Sequence, residues 1–247
     1  MMKYSKALAA IMLMTTVIFA VGCKPDNDTN NYSAINNGGG NNGGGSNNGH
    51  NYVDLGLPSG TLWATCNVGA KAPEEYGDYF AWGETKPKTT YNWDTYKYCN
   101  SDYQLTKYCD DSSYGFTDNL TVLLPEDDAA TANWGSGWCM ATVEQWQELC
   151  DNTTITRTIQ DNVNGQLFTA DNGKSLFLPA AGVYCDDELH SVGKWGYYVS
   201  SSLNVKPNSY GPVYARYLWF GSSSDSYDVA GNSRCWGWSV RPVRSTK

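Results

Sequence analysis

The stretch Gly135–Leu149, GSGWCMATVEQWQEL, states a local structure more clearly than any other part of the chain. Thr142 followed three residues on by Gln145 matches a capping box, in which two side chains satisfy the first orphan amides of a helix. The spacing therefore predicts a helix over about 142–150, starting at Val143. Val143, Trp146 and Leu149 then share one apolar stripe, while Glu144, Gln147 and Glu148 point away from it. Such a stripe provides a large aromatic anchor for a core and brings no chemistry of its own.

Around that helix the sequence reads as strands. Gly60–Val68 and Tyr76–Trp82 have strand composition, with Pro73 in the turn between them. Residues 83–114 are polar and rich in Lys, Tyr and Asp without a sustained period, which predicts a long structured loop. A short second helix is expected over about 126–133 after Pro125, with acids in its first turn where the helix dipole favours them. Gln166–Ala170 and Lys174–Leu178 flank Asp171-Asn172-Gly173, a hairpin signal because Asn and Gly accept positive φ. Further strands are expected at Gly196–Leu203, Val213–Phe220 and Trp236–Val243. One clear helix among about eight strands gives an α+β class with a mostly antiparallel sheet.

The N-terminus has a different character. Lys3 and Lys6 precede an apolar run over Ala7–Val21, which reads as a signal peptide over 1–22 and is too short for a membrane span. Ala20-Val21-Gly22-Cys23 resembles a bacterial lipobox, so Cys23 is the expected lipidation site and the membrane the expected partner through that anchor. The implied location is the outer membrane, facing the cell surface. Asn and Gly dominate 26–50, with triple glycines at 38–40 and 43–45; residues 23–50 are expected to form a flexible tether. That leaves 51–247 as a single folded domain. The whole chain carries 17 basic and 25 acidic residues; removing Lys3 and Lys6 with the leader leaves 15 against 25, a net charge of −10. Nucleic acid is a poor partner for such a surface.

Seven cysteines lie in the domain: Cys66, Cys99, Cys109, Cys139, Cys150, Cys185 and Cys235. An exported domain can form disulfides, though seven is odd. Cys139 and Cys150 bracket the helix at roughly 12 Å, beyond the roughly 7 Å a disulfide tolerates, so they should not pair. Cys99 and Cys109, in the echoes Lys97-Tyr98-Cys99 and Lys107-Tyr108-Cys109, are a candidate pair. No close CxxC or CxxH spacing suggests zinc.

Three segments together resemble a known family. VDLGLPSGTLWA at 53–64, the pattern Trp138-x-Met140-x-Thr142-x-x-x-Trp146, and WSVRPV at 238–243 occur in the order seen in the Fibrobacter succinogenes major paralogous domain, found in surface lipoproteins of Bacteroidetes. The resemblance spans about Tyr52–Arg244. It implies a loop-rich fold similar to the C-type-lectin-like, formylglycine-generating-enzyme-like group, with N- and C-terminal strands lying side by side. The chain departs from the pattern at Cys139, Ala141 and Gln145, where Arg, Pro and Glu are common. A private Cys139–Cys235 disulfide would tie the start of the helix to the last strand.

Catalytic readings are weak. His50 lies in the expected tether, leaving His190 as the domain's single imidazole, beside Asp186, Asp187 and Glu188; a His-based nucleophile system is hard to assemble and a multi-His metal site cannot be built. Asp127 and Asp128 could form a glycosidase pair, but acids at a helix start are explained by capping. Clustered oxygens at 186–188 suit calcium, yet the calcium-dependent lectin motifs are absent. Cys185 and Cys235 are the only cysteines placed to imitate the copper pair of the formylglycine-generating branch, and their surroundings do not match its signature. No catalytic residue, cofactor or metal is therefore expected.

Recognition fits better. Trp195–Trp238 is dense in Tyr and Trp among Ser, Gly, Asn and Asp, a mixture that gives contact area and adaptable hydrogen bonds. Strand alternation puts Val213, Ala215, Tyr217 and Trp219 on one face and Tyr214 and Arg216 on the other. With the more apolar face inward, the expected ligand-binding set is Tyr214, Arg216, Asp225, Tyr227, Asp228, Asn232, Arg234 and Trp236. Ser222–Arg234 also looks like the display segment of C-type-lectin-like proteins diversified by retroelements. The leading expectation is a surface lipoprotein that binds a glycan or a protein. A structural cell-envelope or pilus-associated subunit is the first alternative, and a formylglycine-generating-like oxidase the second.

Overall fold

The computed structural model describes residues 44–205, 211–222 and 226–244. From the N-terminus the strands are β1 (Gly44–Asn47), β2 (His50–Asp54), β3 (Leu62–Ala64) and β4 (Tyr79–Phe80). Helix α1 (Ala129–Trp134) and strand β5 (Cys139–Met140) lead into α2 (Val143–Asp151). There follow β6 (Thr153–Gln160), β7 (Val163–Ala170), β8 (Ser175–Pro179), β9 (Val183–Cys185), β10 (Glu188–His190) and β11 (Trp195–Leu203). The chain ends with β12 (Tyr214–Gly221), β13 (Tyr227–Ser233), β14 (Trp238–Ser239) and β15 (Pro242–Arg244). The pairing is antiparallel in every ladder except β11 with β14, so the α+β class holds.

The predicted helix is α2. Gln145 N–H donates to Thr142 Oγ1 at 3.3 Å and Thr142 N–H to Gln145 Oε1 at 2.9 Å, closing the capping box. Trp146, Leu149 and Cys150 are buried. Trp146 packs on Trp63, with ring centroids 4.6 Å apart, and on Tyr198 at 5.8 Å. Two side chains of the helix also hold the 53–64 segment: Gln145 Nε2 donates to Thr61 Oγ1, and Glu148 accepts from Ser59 N–H and Ser59 Oγ.

Two five-stranded sheets organise the rest. One has the order β1-β2-β3-β15-β5, so β3 near the start pairs with β15 at the end, Trp63 opposite Val243. The other runs β13-β12-β11-β14-β4 and separates two cores. On one side Tyr198, Leu218 and Phe220 meet Trp146 of α2 and Phe168, Leu176 and Leu178 of the β6-β7-β8 sheet. On the other, Val199, Ala215, Tyr217 and Trp238 meet Trp82, Tyr96 and Tyr108, delivered by the long loop after β4.

Buried arginines fix the chain's crossings. Arg241 donates from Nε to Asn67 Oδ1 at 2.9 Å and from Nη1 to the carbonyls of Ala64 and Thr65, fastening the last strand to the first sheet.

Several expectations need correction. The tether does not extend to residue 50: Gly44–Asn47 pairs with His50–Val53 around Asn48-Gly49, both at positive φ as a two-residue hairpin turn requires. Glycine is needed at position 44 for close approach, because a Cβ there would collide with the Tyr52 carbonyl oxygen. His50 is thus in a strand, stacked on Trp134 at 3.8 Å, and burial lowers its pKa. The strand expected over Trp236–Val243 is broken into β14 and β15. Val213 lies in a 3-10 turn before β12, not in the strand. Thr-rich β6, which turns into β7 on Asp161-Asn162 at positive φ, has no counterpart among the expected strands. Cys235 is a free thiol, so the Cys139–Cys235 bridge is not formed; Cys99 and Cys109 are free as well and do not pair. Cys150 is free, so it does not pair with Cys139. The leader and Cys23 lie outside the described residues.

Candidate functional site

The expected binding residues do not form one exposed face. β12 alternates, but both of its sides reach a core: Ala215 and Tyr217 are buried on one side, Leu218 and Phe220 on the other. Tyr214 and Arg216, expected to look outward, sit half-buried on the α2 side of the sheet. Arg216 Nη2 donates to Val229 O at 3.0 Å, which pins the guanidinium along β13. Tyr227 is exposed at the edge of that side, paired with Phe220. Asp225 lies outside the described residues.

Arg234 is a clear correction. It is fully buried, with its guanidinium carbon 5.2 Å from the ring centroids of both Trp82 and Tyr96. Nε donates to Tyr96 Oη at 2.8 Å, Nη1 to Tyr108 O and Pro212 O at 2.7 and 2.9 Å, and Nη2 to Lys107 O at 2.7 Å. Strand alternation stops at Ser233, where β13 ends and a turn sends the side chain under the 83–123 loop. Arg234 therefore holds the loop on the sheet and is unavailable to a ligand.

The remaining three residues, Asp228, Asn232 and Trp236, fall on the other side, and there they meet Tyr217 and Trp219, which strand alternation placed inward, and rings of β11 and β14. Asp228 is opposite Trp219 and Asn232 opposite Ala215 in the β12–β13 ladder. Tyr197 faces Trp219 across the β11–β12 ladder. The diagonal pairs Trp195–Trp219 and Tyr197–Tyr217 have centroids 5.4 and 6.0 Å apart, as cross-strand diagonals allow. Trp238 joins Tyr217 at 4.9 Å and Trp236 at 5.8 Å. Tyr217 and Trp238 form a buried floor, whereas Trp195, Tyr197, Trp219 and Trp236 keep part of each ring in solvent. Burial raises the pKa of Tyr197 and Tyr217, opposed by hydrogen bonds with Ser191 and Asn232 respectively, so both phenols stay protonated at neutral pH. The result is an aromatic shelf edged by amide, hydroxyl and carboxylate groups. Trp195, Tyr197 and Trp219 escaped the expected set because sequence periodicity marks a face as apolar without showing how far a covering element extends.

Other candidate chemistry is occupied by structure. Asp128 caps α1, accepting from Thr131 N–H at 2.9 Å and from Met140 N–H at 2.8 Å; burial pushes its pKa up to about 6 against those hydrogen bonds. For its neighbour Asp127, burial also works against ionisation. Hydrogen bonds from Lys107, Tyr98, Tyr108 and Lys97 prevail, and the carboxyl is held well below the usual range. Neither is free to act on a substrate. Burial pushes the Cys235 thiol up to about 11, and Cys235 shares a 3.2 Å hydrogen bond with Ser233 Oγ. His190 is half exposed, 3.7 Å from Glu188. Among the described residues no three His, Cys, Asp or Glu side chains gather as a metal site, and no helix is long and apolar enough to cross a membrane. No family model, curated protein or solved structure matches the chain.

Proposed function

We propose that this protein is a surface-anchored, non-catalytic recognition domain whose ligand, a glycan or a protein, docks on the aromatic shelf of β11, β12 and the β13–β14 connection. The observation that carries the reading is the set of four part-exposed rings, Trp195, Tyr197, Trp219 and Trp236, on a rigid floor of Tyr217 and Trp238. Rigid aromatic side chains on paired strands offer contact area at little entropic cost. The resemblance to the Fibrobacter succinogenes major paralogous domain supports a C-type-lectin-like architecture, and the β3–β15 pairing agrees with the adjacent terminal strands which that resemblance implies. The lipobox-like Ala20–Cys23 supports anchoring at the outer membrane. A binding screen with the purified full chain against glycan arrays and envelope proteins tests the reading. Saturable binding that weakens on Trp219→Ala is expected. Assembly into filaments through the same rings, with no ligand bound, would replace it with the structural-subunit reading.

A further inference from the structure

If the aromatic shelf is a recognition surface, as proposed, its area, edge, charge and shape narrow the class of ligand. An aromatic side chain can bury about 150–250 Å² in all, and each of these four rings is already partly covered. The four rings together therefore offer at most a few hundred Å² of apolar surface. A strip of that size suits a few pyranose rings, whose C–H faces lie on aromatic rings while their hydroxyls reach outward.

The polar edge supplies what those hydroxyls need. Asn232 bonds Tyr217 and Ser191 bonds Tyr197 at the two sides of the strip. Asp228, exposed opposite Trp219, offers an acceptor beside the central ring.

Charge excludes one large group of sugars. Asp228 borders β12, and the exposed Asp186 and Asp187 form the β9–β10 turn with exposed Glu188 opening β10; Tyr184 of β9 pairs with Gly237, the residue after Trp236. The cations adjoining in sequence are Lys194, which precedes Trp195, and, when protonated, His190, which lies 3.7 Å from Glu188. The chain as a whole has a formal charge of −8. A uronate or sulfated glycan would be repelled.

Ring orientation excludes another. The planes of Trp195 and Trp219, two part-exposed rings in contact, differ by 54°. A crystalline polysaccharide surface is flat and would touch one ring at a time, whereas a single chain in solution can turn from ring to ring.

We infer that the shelf binds a neutral, soluble oligosaccharide, laid across β11 and β12 from Trp195 and Trp219 towards Trp236, with Asn232 and Asp228 hydrogen-bonding its hydroxyls.

The test is isothermal titration of the full chain with neutral gluco-, manno-, galacto- and xylo-oligosaccharides. Oligogalacturonates, sulfated oligosaccharides and insoluble cellulose and chitin provide the contrast. Saturable binding to at least one neutral soluble oligosaccharide is expected, weakened at least tenfold in Trp219→Ala and in Trp236→Ala and largely restored in Trp219→Phe. Thermal melts of each variant separate lost binding from lost folding. Acidic oligosaccharides should bind at least tenfold more weakly. Absence of any neutral binder overturns the inference, as does preference for acidic or insoluble glycans. Binding of a protein ligand through Trp219 overturns the sugar assignment while leaving the recognition reading intact. Neutral-sugar binding that both alanine variants retain overturns the placement.

Discussion

Replacing Arg234 with alanine should unfold the protein more readily than any other change in the Ser222–Arg234 segment. The side chain supplies four hydrogen bonds of 2.7–2.9 Å to Tyr96 Oη and the carbonyls of Tyr108, Pro212 and Lys107. Alanine would strand those acceptors in a dry site, where each unsatisfied polar group costs about 1–3 kcal/mol. It would also leave a cavity between Trp82 and Tyr96, each now 5.2 Å from the guanidinium. Against this stands the relief of a buried cation, a cost of several kcal/mol that the wild type carries. The balance is a loss of roughly 3–4 kcal/mol, comparable to breaking a buried charge network. At about 2–4 °C per kcal/mol for a domain of this size, the melting temperature should fall by roughly 10 °C. Arg234→Lys should recover little, because an ammonium cannot span acceptors arranged around a planar fork. Differential scanning calorimetry and urea titration read the change. A melting temperature within about 2 °C of wild type would refute the assignment of Arg234 as the clasp between the 83–123 loop and the sheet.

Other parts of the fold give further tests. Thr142→Ala removes one half of the capping box and should cost about 1 kcal/mol, read by urea denaturation, with Gln145→Ala giving a similar loss and the double variant less than the sum. The neighbouring aspartates should respond to pH with opposite signs. Asp128, with a folded pKa raised to about 6, takes up a proton on folding between its unfolded pKa and that value, so its contribution to stability is full below about pH 4 and fades as pH rises through 6. Asp127 is held low, so its contribution is present above about pH 4 and disappears as the solution is acidified. Stability against pH for Asp128→Asn should therefore lose a slope between pH 4 and 6 worth roughly 2–3 kcal/mol in total, while Asp127→Asn loses stability at neutral pH. If Cys23 carries the lipid, Cys23→Ser should move the protein from the outer-membrane fraction to a soluble one, as metabolic labelling with a fatty acid would show.

What the sequence made legible is what local chemistry dictates. The helix α2 is written in Thr142, Gln145 and the Trp146–Leu149 stripe, all within one segment. The β7–β8 hairpin is written in Asp171-Asn172-Gly173. The same turn chemistry at Asp161-Asn162 and Asn48-Gly49 also makes hairpins. Its flanks hide it: β6 is Thr-rich and largely exposed, and β1 lies in a glycine run that looks too apolar-poor to fold until Tyr52 and Trp138 cover it. Arg234 and Trp219 show the limit of periodicity. Alternation along β12 and β13 correctly separates Ala215 and Tyr217 from Tyr214 and Arg216. It does not reveal that α2 covers the second face, that Trp219 on the first face is only partly covered, or that the chain turns at Arg234. Those facts depend on contacts far apart in sequence, such as Arg234 with Lys107 and Tyr108.

Ligand recognition by the aromatic shelf is most directly tested by tryptophan fluorescence during oligosaccharide titration of the wild type and of Trp195→Ala/Trp219→Ala. The account predicts a saturable spectral shift in the wild type and at least a tenfold weaker dissociation constant in the double variant, with the melting transition preserved. Equal affinity in a folded double variant would contradict it.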